Sequence, residues 1–97
     1  MAVRIQHGML LALHLGRMKD AGTISAARIS MGKLSNVRDA LWVAREARSV
    51  LGASGITLDY PVMRHMANLE SVFTYEGTNE IHTLIVGEAL TGIRAFT

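Results

Sequence analysis

Cysteine is absent from this 97-residue chain, which excludes a disulfide framework and a thiolate metal centre and leaves a reducing compartment open. Proline occurs once, aromatic residues make up only 5%, and charge is sparse at 19%. The surplus of +2 is spread along the chain, whereas nucleic-acid binding wants a concentrated basic stripe, and none is present. No apolar run approaches the ~20 residues that a membrane helix needs. The start, MAVRIQHGMLLALHLGRMKD, does not read as a secretory signal, because His7, His14 and Arg17 interrupt its apolar part and no small-residue cleavage site follows. With 49% hydrophobic residues the chain is too apolar to be disordered. Its length supports one small domain, with a core near the lower limit for folding unaided.

What is present is helical periodicity. Glycine and polar clusters divide the chain into four stretches. In the first, from about Ala2 to Lys19, the polar residues Arg4, His7, His14 and Arg17 recur at spacings of 3, 7 and 3. So narrow a polar stripe predicts a helix buried over most of its circumference. The second, from about Ser25 to Leu51, carries Ala27, Met31, Leu34, Val37, Leu41, Ala44, Ala47 and Leu51 at steps of 4, 3, 3, 4, 3, 3 and 4. These residues share one helical face. Thr23 or Ser25 suits its start, Gly52 its end, and the interior Gly32 suggests close packing or a bend. A short helix is predicted from about Pro61 to Glu70, and Val72-Phe73-Thr74-Tyr75 prefers extended structure. A last helix runs from about Asn79 to Ala95, with Ile81, Leu84, Ile85, Ala89, Gly92, Ile93 and Phe96 as its buried stripe. The fold class is therefore all-α, an up-down antiparallel bundle. The first helix is apolar from almost its first residue, with no capping sequence ahead of it, which points to a segment of something larger.

The segment Tyr75-Glu76-Gly77-Thr78-Asn79-Glu80 places an acidic residue at a glycine-relieved turn ahead of a helix. Thr78 suits the cap and Glu80 the first turn, and the backbone N–H groups there suit an anion. Glu76 reads either as a general base that gains from desolvation when substrate closes the site or as an ordinary helix-start acid. The small-residue loop Leu51 to Ile56 allows close backbone approach, but it is not a dinucleotide fingerprint and reads equally as a helix C-cap with a turn. His7 and His14 share a face with Arg4 and Arg17, which repel a cation, so no metal site is expected. His65 and His82 read as hydrogen-bonded packing residues. The six methionines read as core filler.

Three segments, ARSVLGASGI (Ala47 to Ile56), YPVMRHMANLE (Tyr60 to Glu70) and TYEGTNEIHTLIVG (Thr74 to Gly87), resemble the C-terminal helical domain of the acyl-CoA dehydrogenases. LHLGRMKD near the start and EALTGIRAF near the end make the glutaryl-CoA dehydrogenases the most similar branch. The resemblance implies an FAD-dependent enzyme in which a carboxylate removes the α-proton of an acyl-CoA thioester while the β-hydride passes to the flavin. Decarboxylation follows when the substrate is glutaryl-CoA, and electrons leave to an electron-transfer flavoprotein. It implies Glu76 as the base and Gly77 as a substrate contact. It also implies Thr78 and Phe96 as FAD contacts, and Ser49, Val50, Leu51, Gly52 and Ala53 as a loop that meets the FAD of a neighbouring subunit. Many members carry glutamine where Ser49 stands and a second consecutive glycine where Ala53 stands. Serine reaches less far, and alanine adds a methyl against the cofactor.

The resemblance further implies that residues 1–97 are part of that domain, with the N-terminal and middle domains absent. The isolated chain is then expected to be inactive and to form a homo-oligomer through its uncovered faces. No nucleic-acid partner and no membrane span are expected, and the location would be cytoplasmic in a bacterium or the mitochondrial matrix in a eukaryote. The rival reading is a non-enzymatic helical assembly module descended from such an enzyme. A metal or haem bundle would need inward ligands at paired helical spacing, which the sequence does not offer.

Overall fold

The computed structural model describes residues 1–96, and these contain only helices and their connections. Helix α1 spans Ala2–Asp20, α2 Ala26–Val50, α3 Val62–Thr74 and α4 Asn79–Thr91, with a short 3-10 turn at Gly52–Ile56. None of the helices is long and apolar enough to cross a membrane.

Helix α2 is the axis on which the others dock. It starts where Ser25 adopts an extended conformation and its side chain accepts from the Arg28 N–H at 3.3 Å, as an N-cap should. Helix α1 runs antiparallel to it. Arg4 pairs with Asp39 at 3.1 Å and stacks 4.0 Å over Trp42, the Asn36 amide donates to the Gly8 carbonyl at 3.2 Å, and Leu15 covers Gly32. Arg4 therefore belongs to the docking face, and its guanidinium gains both a carboxylate and an aromatic ring there. Helices α3 and α4 form the third leg in tandem. Val62 sits opposite Ala44 and Ala47 toward the end of α2, Phe73 and Asn79 meet Leu34 and Val37 near its middle, and His82 reaches Ser30 toward its start. Helices α1 and α4 each pack on α2 and make no comparable contact with one another.

This arrangement is long and thin. Its extents are 47 × 30 × 18 Å and its radius of gyration is 15.8 Å, against ~13 Å for a compact domain of this length. The only buried hydrophobic residues among those described are Ala44 and Val62, each still 8% exposed. Helix α1 departs from the expectation that most of its circumference is covered. It turns Arg4, Gly8, Leu11, Leu15 and Met18 toward α2, whereas Val3, Met9 and Leu10 stay more than half exposed. An apolar groove of about 640 Å³ runs between Ile5, Met9 and Ala12 of α1, Ala40, Val43 and Ala44 of α2, and Tyr60 and Val62.

Two further departures have local causes. The segment expected to be extended is helical through Thr74, because Phe73 finds a seat against α2 and the Thr74 hydroxyl bonds back to the Glu70 carbonyl at 3.1 Å. Helix α4 stops at Thr91, four residues early, because Gly92 takes the left-handed conformation at φ 73° and its N–H caps the Glu88 carbonyl. Ile93 and Phe96 thus lie beyond the helix and are exposed, and within it Ile81, Leu84 and Ala89 are exposed as well, so the expected buried stripe is not formed; His82 is the helix's buried residue.

Two glycines set how closely the elements meet. A Cβ on Gly55 would lie 2.2 Å from the Arg48 carbonyl oxygen, which is backbone and cannot yield. A Cβ on Gly32 would meet only the tip of the Leu15 side chain, at 2.3 Å. Gly55→Ala is therefore expected to destabilise by about 2–3 kcal/mol. Gly32→Ala should stay within about 1 kcal/mol of the parent, because alanine's helix propensity offsets the repacking of Leu15. Urea unfolding of both variants checks the order.

Candidate functional site

The turn between α3 and α4 carries the chemistry. Tyr75 ends α3 in an extended conformation, its N–H still bonded to the Ser71 carbonyl at 2.9 Å. Glu76 follows at φ 55° and Gly77 at φ 90°. Among the described residues Glu76 is the only one other than glycine with positive φ, a conformation that costs an L-residue ~1–2 kcal/mol. Gly77 has no alternative: a Cβ there would lie 2.7 Å from Nε2 of His82. Thr78 then caps α4, its hydroxyl accepting from the Ile81 N–H at 3.2 Å, and Glu80 lies in the first turn. The structure thus has the cap, the turn and the first-turn acid where the residue pattern put them.

What holds the turn was not visible in that pattern. The Lys33 ammonium, from the first third of α2, donates to the carbonyls of Tyr75 and Gly77 and lies 3.5 Å from that of Glu76. It also stands 6.0 Å over the Tyr75 ring. Nε2 of buried His82 is 3.2 Å from the Glu76 carbonyl, and Nδ1 is 2.9 Å from the Ser30 hydroxyl. A carbonyl only accepts, so Nε2 carries the proton and, in the neutral ring, Nδ1 accepts from Ser30. His82 is thus the hydrogen-bonded packing residue expected of it. His65, by contrast, is exposed at the rim of the apolar groove. All three carbonyls of residues 75–77 are drawn inward, while the N–H groups of Glu76, Gly77 and Thr78 have no acceptor among the described residues. Successive N–H groups without acceptors in such a turn suit an anion. The Glu76 side chain is exposed beside it and makes no ion pair among the described residues.

The second candidate set lies elsewhere. Ser49 and Val50 end α2, Leu51 joins it to the 3-10 turn that Gly52 begins, and Ala53 lies within that turn. All five are exposed, and Gly52, at φ 59°, has open space where its side chain would be. From Lys33 to Ser49 is sixteen residues of continuous α2, so at a helical rise of about 1.5 Å per residue the two sets lie ~24 Å apart. Within one chain the loop 49–53 and the Glu76 turn belong to different places. Phe96 is exposed beyond α4, and no hydrogen bond ties it to the turn among the described residues.

This helical scaffold matches a known family. Residues 1–91 fit the family profile described as "Acyl-CoA dehydrogenase, C-terminal domain", and the chain belongs to the acyl-CoA dehydrogenase family. Among solved structures it is similar to a glutaryl-CoA dehydrogenase from Mycobacterium smegmatis at 64% identity and a TM-score of 0.94, over 98% of this chain and 24% of that one. A glutaryl-CoA dehydrogenase from the same organism, in complex with FADH2, is 59% identical with a TM-score of 0.93, over 98% of this chain and 25% of the other. An acyl-CoA dehydrogenase of Bacillus subtilis is 33% identical over 95% of this chain and 24% of its own length. The chain spans about a quarter of the length of the curated relatives it matches.

Proposed function

We propose that this chain is the C-terminal helical part of an FAD-dependent acyl-CoA dehydrogenase of the glutaryl-CoA type, and that Glu76 is its general base. The observation that carries the reading is the turn itself: an exposed carboxylate beside consecutive free N–H groups, held in a conformation that an ordinary helix-start acid does not need. Abstracting the α-proton of a thioester builds negative charge on the carbonyl oxygen. Fixed N–H donors at that oxygen stabilise it as it forms, and the Glu76 N–H is the donor assigned to it. The Glu76 carboxylate takes the proton, and Gly77 lets the substrate approach the backbone.

Bound FAD would supply the acceptor for the β-hydride. Thr78 and Phe96 would touch it from one chain, and Ser49, Val50, Leu51, Gly52 and Ala53 from a neighbouring one. The ~24 Å between the two sets supports a composite site of this kind, and the exposed Gly52 backbone suits close approach of a cofactor. A homo-oligomer, an acyl-CoA substrate and an electron-transfer flavoprotein as electron acceptor complete the proposal. The exposed apolar faces of α1 support association.

Flavin retention tests it. The purified chain is mixed with FAD, the excess is removed and the visible spectrum recorded. No retained flavin and no oxidation of glutaryl-CoA are expected from the chain alone, because the N-terminal and middle domains would supply most of both sites. Flavin-linked oxidation of glutaryl-CoA by the 97 residues alone would overturn the partial-domain reading.

A further inference from the structure

We infer that Lys33 and His82 are positioning residues, which together hold Glu76 in its left-handed conformation and so aim its carboxylate and the N–H groups of the turn. This rests on the reading of Glu76 as the base, and it adds two residues that touch neither substrate nor cofactor in that reading.

Three successive carbonyls must be fixed to define this turn, and each has a side-chain donor. Lys33 takes the first and third, and His82 takes the second. Lys33 comes from α2 and His82 from α4, so the turn is tied both to the axis helix and to the helix it introduces. The hydroxyl of Ser30, only 3% exposed, orients the imidazole and fixes which nitrogen faces the turn. Gly77 completes the fit, since its missing side chain is what lets the His82 ring stand against the backbone. The donors act only on carbonyls. They therefore orient the peptide planes and turn the N–H groups outward, which an apolar contact of the same size would not do. A left-handed non-glycine residue persists only where its surroundings over-determine it, and these two donors are the surroundings.

The test has two arms. In the first, the 97-residue chain and its Lys33→Met and His82→Phe variants are compared by NMR, reading the one-bond Cα–Hα coupling of Glu76, which distinguishes positive from negative φ. Both variants are expected to lose the left-handed signature. His82→Gln should restore it, because an amide can donate to the Glu76 carbonyl and accept from Ser30. Retention of the signature in Lys33→Met overturns the clamp, even if His82→Phe fails to fold.

In the second arm, the same substitutions are placed in the flavin-loaded enzyme that carries this segment, beside Glu76→Gln. Misaimed groups should lower kcat by roughly 10–100-fold with little change in KM. Unchanged kcat in Lys33→Met, alongside lost turnover in Glu76→Gln, overturns the positioning role. Full turnover in Glu76→Gln sinks the base assignment instead, and the clamp is then judged by the coupling alone.

Discussion

Replacing Glu76 with glutamine is expected to lower turnover of the assembled enzyme by roughly 10²–10⁴-fold, the usual contribution of a general base, while leaving the fold intact. The amide keeps the size and the left-handed backbone but cannot take the α-proton. The side chain is exposed and forms no ion pair among the described residues, so folding does not depend on its charge. Steady-state kinetics beside a thermal melt separate the two effects, and turnover close to the parent's would remove Glu76 from the mechanism. Glu76→Gly makes the complementary point. Glycine relieves the positive φ and should gain about 1 kcal/mol, yet the variant should be inactive. Stability gained where activity is lost would mark the strain as retained for function.

The second large effect concerns stability. Gly77→Ala should destabilise by about 2–5 kcal/mol, from the unfavourable φ together with overpacking. Its Cβ would stand 2.7 Å from Nε2 and 3.0 Å from Cε1 of His82. The ring cannot swing aside without giving up Ser30 on one side and the Glu76 carbonyl on the other. For a domain of this size that corresponds to a fall in melting temperature of at least ~10 °C. A melt within about 2 °C of the parent would show that the turn repacks freely, contrary to its tight fit.

How much of this was legible from residues alone follows the range of each interaction. Helix α2 was readable along its whole length, because its apolar steps, Ser25 cap and terminal Gly52 are all local signals. The Thr78 cap and the glycine after Glu76 were readable for the same reason. Val72-Phe73-Thr74 misled, since its β-propensity yields to the seat that Phe73 finds on α2, a contact between distant parts of the chain. Gly92 falls on the apolar stripe by spacing, yet its freedom at positive φ ends the helix. Lys33 left no trace in the pattern. One lysine on a long helix looks solvated until folding brings a turn 42 residues later against it.

The hub-and-spoke docking on α2 also shapes how disturbance spreads. Because α1 and α4 each pack on that shared partner and make no comparable contact with one another, fraying of α1 can leave the Tyr75–Thr78 turn in place, and the two ends of the chain behave as separately opening units. Damage on different spokes should sum almost independently only where the two sites lie far apart and touch different parts of α2. A break in the first third of α2, near Ser30 and Lys33, would disturb the α1 seat at Gly32 and the Tyr75–Thr78 turn together.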